Sequence, residues 1–368
     1  MTSRLKRLLI VLEQYRLDAL LVSHQPNIAY LCGFPSSDSY LLITRNKNFF
    51  ITDSRYYRQA CAFFEPAASP HKRSLLSGNK GNKRFYVRLS DKATSQTIAQ
   101  LTIEEKIKNL GFEAGNLNVA QYLTIKKTVK PARVVPTRGL IEEIRIIKDS
   151  GELLKIKRSV RISVNALKYA RKIIHPGLKE IEIAAELERF IRYQGARTTA
   201  FMIIVASGKN SAFAHHITSD YRLKKNESLF IDIGVDYQGY KSDLTRPFFL
   251  GKIPSKIRKI HDIIRQAQAL AIKKIKPGVK ICEIDKSARQ YIDKRGYGGF
   301  FSHSLGHGIG MEIHEQPHIS GNNIAKIKSG MVFTVEPAIY LPDNFGIRVE
   351  DDVVVTKNGC EVLSANID

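Results

Sequence analysis

The residues best able to do chemistry in this 368-residue chain are carboxylates set inside apolar, strand-like runs. The first pair lies at 229–246, LFIDIGVDYQGYKSDLTR. Leu229, Phe230, Ile231 and Ile233 are apolar, so a strand there is covered on both faces with Asp232 embedded in it. Residues 234–239 supply a turn and 240–245 run back. A turn centred on Tyr237 and Gln238 sets Asp232 opposite Asp243, both side chains on one face with Cβ atoms roughly 4.5–5.5 Å apart. Like charges so placed repel, and burying an unpartnered carboxylate is costly. A shared proton, an arginine or a metal ion could offset the charge. On this stretch alone a solvated or arginine-paired couple is as good a reading as a functional one.

The second part of the chain adds to the set. Residues 301–315, FSHSLGHGIGMEIHE, hold His303, His307 and His314 among Gly306, Gly308 and Gly310. A His303/His307 pair at i, i+4 would suit a helical zinc site, but Gly306 and Gly308 argue against a helix. Glycines at this density permit close backbone approach to a ligand and sharp changes of direction. Next, MVFTVEP at 331–337 is an apolar strand ending in Glu336, and GIRVEDDVVVT at 346–356 is its expected partner. A loop centred on Asp343 sets Glu336 opposite Glu350. Arg348 shares the side of Glu350, Asp351 faces away, and Asp352 lies further along the side of Glu350. Asp351 and Asp352 read as solvated or capping acids. Four carboxylates and an imidazole in one pocket need cations, and two divalent ions roughly 3.5–4 Å apart would suit a hydrolytic centre. Oxygen donors with one nitrogen favour Mn²⁺, with Zn²⁺, Co²⁺ or Fe²⁺ also accommodated.

The elements that must position these residues fall into two domains, as the length allows. Residues 1 to about 125 alternate helix and strand patterns: helices at 5–15, 53–61 and 94–110, strands at 19–22, 40–44 and 48–52. No catalytic constellation lies there. The stretch 126–150 carries two prolines and many charges and reads as the domain junction. Beyond it come helices at 150–174 and 178–194, a strand at 201–206, then helices at 254–275 and 282–294. The order helix, helix, strands occurs twice, which suggests two similar halves.

Composition excludes some classes. No run of apolar residues is long enough to cross a membrane, and the N-terminal stretch reads as an amphipathic helix rather than a signal peptide. Cys32, Cys61, Cys282 and Cys360 form no CxxC pair and read as reduced thiols of a cytoplasmic protein. The net charge of +23 is spread along the chain. Its densest piece, 71–88, matches no nucleic-acid module, so nucleic acid is not an expected partner.

DIG with SDLTR, HSLGHGIGMEIHE, VEP and RVED together resemble the motifs of the Xaa-Pro peptidases, prolidase and aminopeptidase P, of the pita-bread superfamily. The resemblance covers nearly the whole chain. It implies an α+β fold: a creatinase-type α/β N-terminal domain at 1–130, then a pita-bread catalytic domain of two pseudo-symmetric halves at 131–368. It implies metal ligands Asp232, Asp243, His307, Glu336 and Glu350, with Asp243 and Glu350 bridging two ions. Glu336 would be the general base. His215 matches the family's pocket histidine and departs from the pattern in being followed by His216. His303 and His314 match further pocket histidines, and Arg348 the arginine beside the bridging glutamate. The implied substrates are Xaa-Pro dipeptides or peptides with proline second, and the implied assembly is a homodimer. Methionine aminopeptidase fits less well, given the long N-terminal domain. A non-enzymatic scaffold binding an acidic partner fits poorly with all five ligand types present.

Overall fold

Leu5, Leu8 and Leu12 recur at helical spacing and are buried along one side of the first helix. The computed structural model describes residues 3–64, 85–91 and 93–365, and the chain divides into two units, Met1–Ile144 and Arg145–Asp368. The division falls inside the proline- and charge-rich stretch 126–150. Apart from residues 85–88, the basic piece at 71–88 lies outside the described residues.

The first unit runs α1 (Ser3–Gln14), β1 (Ala19–Val22), α2 (Gln25–Cys32), β2 (Ser39–Thr44), β3 (Asn48–Thr52), α3 (Ser54–Phe64), β4 (Phe85–Leu89), α4 (Thr94–Glu104), β5 (Asn109–Glu113), α5 (Val119–Thr128), β6 (Arg133–Thr137) and α6 (Leu140–Arg145). Its six-stranded sheet has the order β4-β3-β2-β1-β5-β6. The expected helix at 94–110 stops at Glu104, and its tail is β5, which pairs in parallel with both β1 and β6. Gly111 lies in this strand, where a Cβ would come within 2.7 Å of Leu17 Cδ1. The sequence reading also left α5 and β6 unassigned.

The second unit opens with α7 (Ser150–Ile173) and α8 (Glu180–Tyr193). Asp149 caps α7 in a reciprocal box with Glu152, each side chain accepting from the other's backbone N–H at 2.9 and 3.0 Å. There follow β7 (Thr198–Thr199), β8 (Ile204–Ser207), β9 (Ser228–Ile233), β10 (Val235–Tyr237), β11 (Tyr240–Lys241) and β12 (Leu244–Phe249). The pattern then repeats: α9 (Ser255–Lys274), α10 (Ile281–Asp293), β13 (Gly306–Gly308), β14 (Glu315–Ile319), β15 (Val332–Val335), β16 (Ala338–Leu341), β17 (Phe345–Arg348), β18 (Asp351–Val355) and β19 (Cys360–Val362). The expected strand at 201–206 begins only at Ile204.

The duplication extends to detail. Each first helix is followed by Pro-Gly with the glycine at positive φ, +95° at Gly177 and +90° at Gly278. Gly177 donates its N–H to Leu223 O, and Gly278 to Ile327 O. Each half has its own core, one built on α7, α8 and β9, the other on α9, α10, β15 and β18. This is an α+β unit of two matched halves, as expected.

Candidate metal centre

The centre is assembled by two hairpins. In the first, Gln238 and Gly239 both have positive φ, +51° and +86°, as a two-residue type I′ turn requires. The turn therefore centres one residue later than expected, and the register moves by two: Asp232 opposes Thr245, not Asp243. A shift of two preserves the face. Asp232 and Asp243 are diagonal neighbours rather than direct partners, and both are buried. In the second hairpin the expected register holds. The pairs Val335–Asp351 and Ala338–Arg348 bracket Glu336 and Glu350 and place them opposite one another.

The histidine segment is not a helix, as its glycines argued, and Gly306–Gly308 form the short strand β13, but the glycines' role differs from the expected approach to a ligand. A Cβ on Gly306 would fall 2.0 Å from Thr334 O, and one on Gly308 2.2 Å from Gln316 O. The glycines let β13 lie tightly between its neighbouring strands. This presents His307 to the acids: its Nε2 is 3.5 Å from Asp243 Oδ2 and 3.5 Å from Glu336 Oε1. Its Nδ1 lies 3.1 Å from Gly308 O, which favours a proton on Nδ1 and a free lone pair on Nε2. Donor atoms of Asp243, His307 and Glu350 lie within 4.8 Å of one another. Asp232 stands outside that group. Its Oδ2 accepts a hydrogen bond from Arg348 Nη2.

The electrostatics match a cation site. Burial and mutual repulsion push the carboxyls of Asp243 and Glu350 well above the usual range, and burial raises Glu336 to about 7. Burial also lowers the imidazoles of His307 and His303 to about 4, and that of His314 less far. Arg348 supplies one positive charge against four carboxylates. Buried oxygens Asp232 Oδ1 and Asp243 Oδ1 have no hydrogen-bond partner among the described residues. Orphaned acceptors beside a neutral imidazole lone pair are the donor set a hard divalent cation takes, so the residues fit such ions.

Of the remaining expected residues, His303 Nδ1 is 3.8 Å from Glu336 Oε2, and His314 stacks edge-on against His307 with ring centres 4.3 Å apart. His215 acts electrostatically on both His303 and His314. His216 does not join them; its Nε2 bonds Glu180 at 2.8 Å. Asp351 and Asp352 are corrections, since neither is solvated. Asp351 pairs with Arg246 and accepts from Gln268 at 3.0 Å. Asp352 accepts the N–H of Asp243 at 3.0 Å and so fixes that ligand candidate.

Three supporting residues escaped the sequence reading. Thr245 donates to Glu350 Oε2 at 2.6 Å and accepts from Arg348 Nε at 2.9 Å. Thr334 accepts the N–H of His307 and donates to Glu336, both at 3.1 Å. The Tyr340 hydroxyl lies 2.7 Å from Arg348 Nη1. Thr245 and Thr334 sit in the SDLTR and VFTVEP motifs beside acids, a signal that could have marked them.

A two-half α+β unit whose buried acids and one imidazole converge on a cation-seeking pocket defines a metal-dependent hydrolase. Comparison with known proteins gives the family. Residues 154–357 match metallopeptidase family M24 and residues 4–147 the creatinase/prolidase N-terminal domain. The chain belongs to the M24 metallopeptidases. It is 33% identical over 366 residues to the Xaa-Pro dipeptidase of Pyrococcus horikoshii, covering 99% of this chain and 97% of that one. The structure of an Xaa-Pro dipeptidase from Bacillus anthracis superposes with a TM-score of 0.91 at 34% identity, covering 98% of this chain and 97% of that one. An X-Pro aminopeptidase from Thermotoga maritima gives 0.85 at 35% identity, covering 96% and 97%. Among the described residues no helix is long and apolar enough to cross a membrane.

Proposed function

We propose that this metallopeptidase hydrolyses the bond between an N-terminal residue and proline, with two divalent ions, preferably Mn²⁺, held by Asp232, Asp243, His307, Glu336 and Glu350. The observation that carries the reading is the cluster of Asp243, His307 and Glu350, with Glu336 3.5 Å from His307 and a buried oxygen of Asp232 and of Asp243 left unpartnered. The full-length similarity to Xaa-Pro peptidases supports the substrate class. Proline restricts the residue before it and makes the scissile bond a tertiary amide without N–H.

When bound, the ions supply Lewis-acid charge and make water acidic enough to act as a nucleophile near neutral pH. Glu336 accepts the proton of the attacking water and returns it to the proline nitrogen, acting as base and then as acid. His215 donates a hydrogen bond to the oxygen on which negative charge develops. His303 and His314, kept neutral by burial, bind the proline-side residue. Asp232 receives the substrate's free amine.

The test is an assay of Gly-Pro, Ala-Pro and a longer Xaa-Pro peptide with and without added Mn²⁺. Metal-dependent release of the N-terminal residue is expected. Cleavage of none of them by metal-loaded protein would overturn the proposal. The ratio of dipeptide to longer-peptide rates then assigns the enzyme to the dipeptidases or the aminopeptidases.

A further inference from the structure

His215 lies in the segment 208–219 between β8 and β9, an exposed residue on a connecting loop. Loops of this kind are mobile unless their backbone is tied down. Here the ties are specific. Gly346 donates its N–H to Ser211 Oγ at 2.9 Å. Arg348 Nη1 donates to Ala214 O at 3.0 Å, immediately before His215. Immediately after it, His216 Nε2 meets Glu180 Oε2 at 2.8 Å.

Glu180 is the first residue of α8 and is fully buried. Its carboxylate gathers five donors from the loop and its approaches. Oε1 accepts from Ser207 N at 2.8 Å and Asn210 Nδ2 at 3.0 Å. Oε2 accepts from His216, from Ser219 Oγ at 2.7 Å and from Ser219 N at 3.2 Å. A buried carboxylate with so many partners is a rigid node, because losing any one leaves charge poorly compensated. The residues on either side of His215 are therefore both held, Ala214 at its backbone carbonyl by Arg348 and His216 at its ring by Glu180.

We propose that His216 is a positioning residue: through Glu180 it holds the loop so that the His215 imidazole faces His303 and His314. The second imidazole of the His-His pair thus sets the place of the first and does no chemistry itself. The other half uses a comparable device. Asp285 on α10 is fully buried, accepts from Leu305 N and pairs with Arg289. Arg289 donates to Phe301 O at 3.0 Å and His303 O at 2.9 Å. His215 and His303 are thus each held through a buried acid on the second helix of their own half.

The inference rests on the proposed Xaa-Pro hydrolysis for its kinetic readout but not for its structural one. The experiment compares His216→Ala and His216→Gln in the metal-loaded full chain. Glutamine can offer its amide N–H to Glu180 from nearly the position of Nε2 but has no imidazole chemistry. His216→Ala is expected to lower kcat/KM on Ala-Pro about tenfold to a hundredfold, since a misplacement near 1 Å has that effect. Its metal content stays that of the wild type. His216→Gln is expected to stay within about threefold of wild type. Hydrogen exchange of peptides spanning 207–219 is expected to quicken at least tenfold in the alanine variant and to return to wild-type rates in the glutamine variant. Unchanged exchange in His216→Ala sinks the clamp, as does an active wild type with both variants equally impaired. If the wild type cleaves no Xaa-Pro peptide, the functional reading fails alone, and the exchange data still decide the clamp.

Discussion

The two halves of the second unit share a plan but divide the labour. The first contributes Asp232 and Asp243 from a single hairpin. The second contributes His307, Glu336 and Glu350 from β13 and a longer hairpin, together with His303, His314 and Arg348. The halves are cross-tied by two arginines. Arg348 of the second pairs with Asp232 of the first, and Arg246 of the first pairs with Asp351 of the second. The first tie touches a ligand candidate and the second faces away from the pocket. The halves are thus joined by two arginine–carboxylate pairs: Arg348 touches a ligand candidate's carboxylate, whereas Arg246 reaches the centre only through the backbone carbonyl of Glu350. A buried acid is in itself no sign of function here: Asp351 has both oxygens partnered, whereas Asp232, Asp243 and the supporting Asp352 each keep one buried oxygen unpartnered among the described residues, so the orphaned oxygens mark the neighbourhood of the centre.

That contrast can be broken experimentally. The largest effect is expected for Asp243→Ala, which removes a ligand candidate touched by both halves: metal content should drop below one ion per chain and turnover should become undetectable. Retention of both ions by elemental analysis would remove Asp243 from the centre. Glu336→Gln should lower kcat by about 10²–10⁴ while most of the metal stays bound. Full activity in that variant refutes its role as base.

Arg246→Met severs the joint away from the pocket. It should cost about 3–5 kcal/mol in a denaturant titration, because Asp351 is left buried without its cation. The remaining folded molecules should lose less turnover than Glu336→Gln, because Arg246 touches Glu350 only through its backbone carbonyl. A collapse of kcat with unchanged stability would mean the two joints are not divided as described. Smaller still is Gly239→Ala in the first turn, where positive φ should cost about 1–2 kcal/mol. The site chemistry should be unaffected.

A pH test separates the centre from both joints. The folded-state carboxyl of Glu336 is raised to about 7 from an ordinary 4.5, and those of Asp243 and Glu350 are raised well above their ordinary range. An acid raised in the folded state binds more protons folded than unfolded, so its contribution falls as pH rises from about 4.5 through 7. Metal-free protein should therefore lose stability across that window, and the gain in Tm on adding Mn²⁺ should grow from pH 5 to pH 8. A Tm gain that is flat with pH would argue that the acids are not in one pocket.

Much of the site was legible because strand side chains alternate. Asp232 and Asp243 were expected on one face, and a register error of two left them there. Glu336 and Glu350 were placed opposite each other from a loop centre alone, and β15 to β18 carry that register. The first hairpin was misjudged because either Tyr237–Gln238 or Gln238–Gly239 could form its tip. Positive φ at both central residues favours the pair containing glycine. The reading of Asp351 and Asp352 as solvated acids failed for another reason. Their partners Arg246, Gln268, Ser364 and the N–H of Asp243 come from distant parts of the chain, and no local pattern announces such meetings.

By itself the sequence determined the kinds of donor available, the face each would occupy and the repeated order of helices and strands, since periodicity and turn chemistry are local. Tertiary structure decided which donors meet, which oxygens stay unpartnered, which of two adjacent histidines is bound by Glu180 and which acid is spent on an arginine. Those outcomes depend on contacts between segments roughly a hundred residues apart, Asp243 with Asp352, Thr245 with Glu350 and Arg348 with Asp232, and only packing brings such segments together.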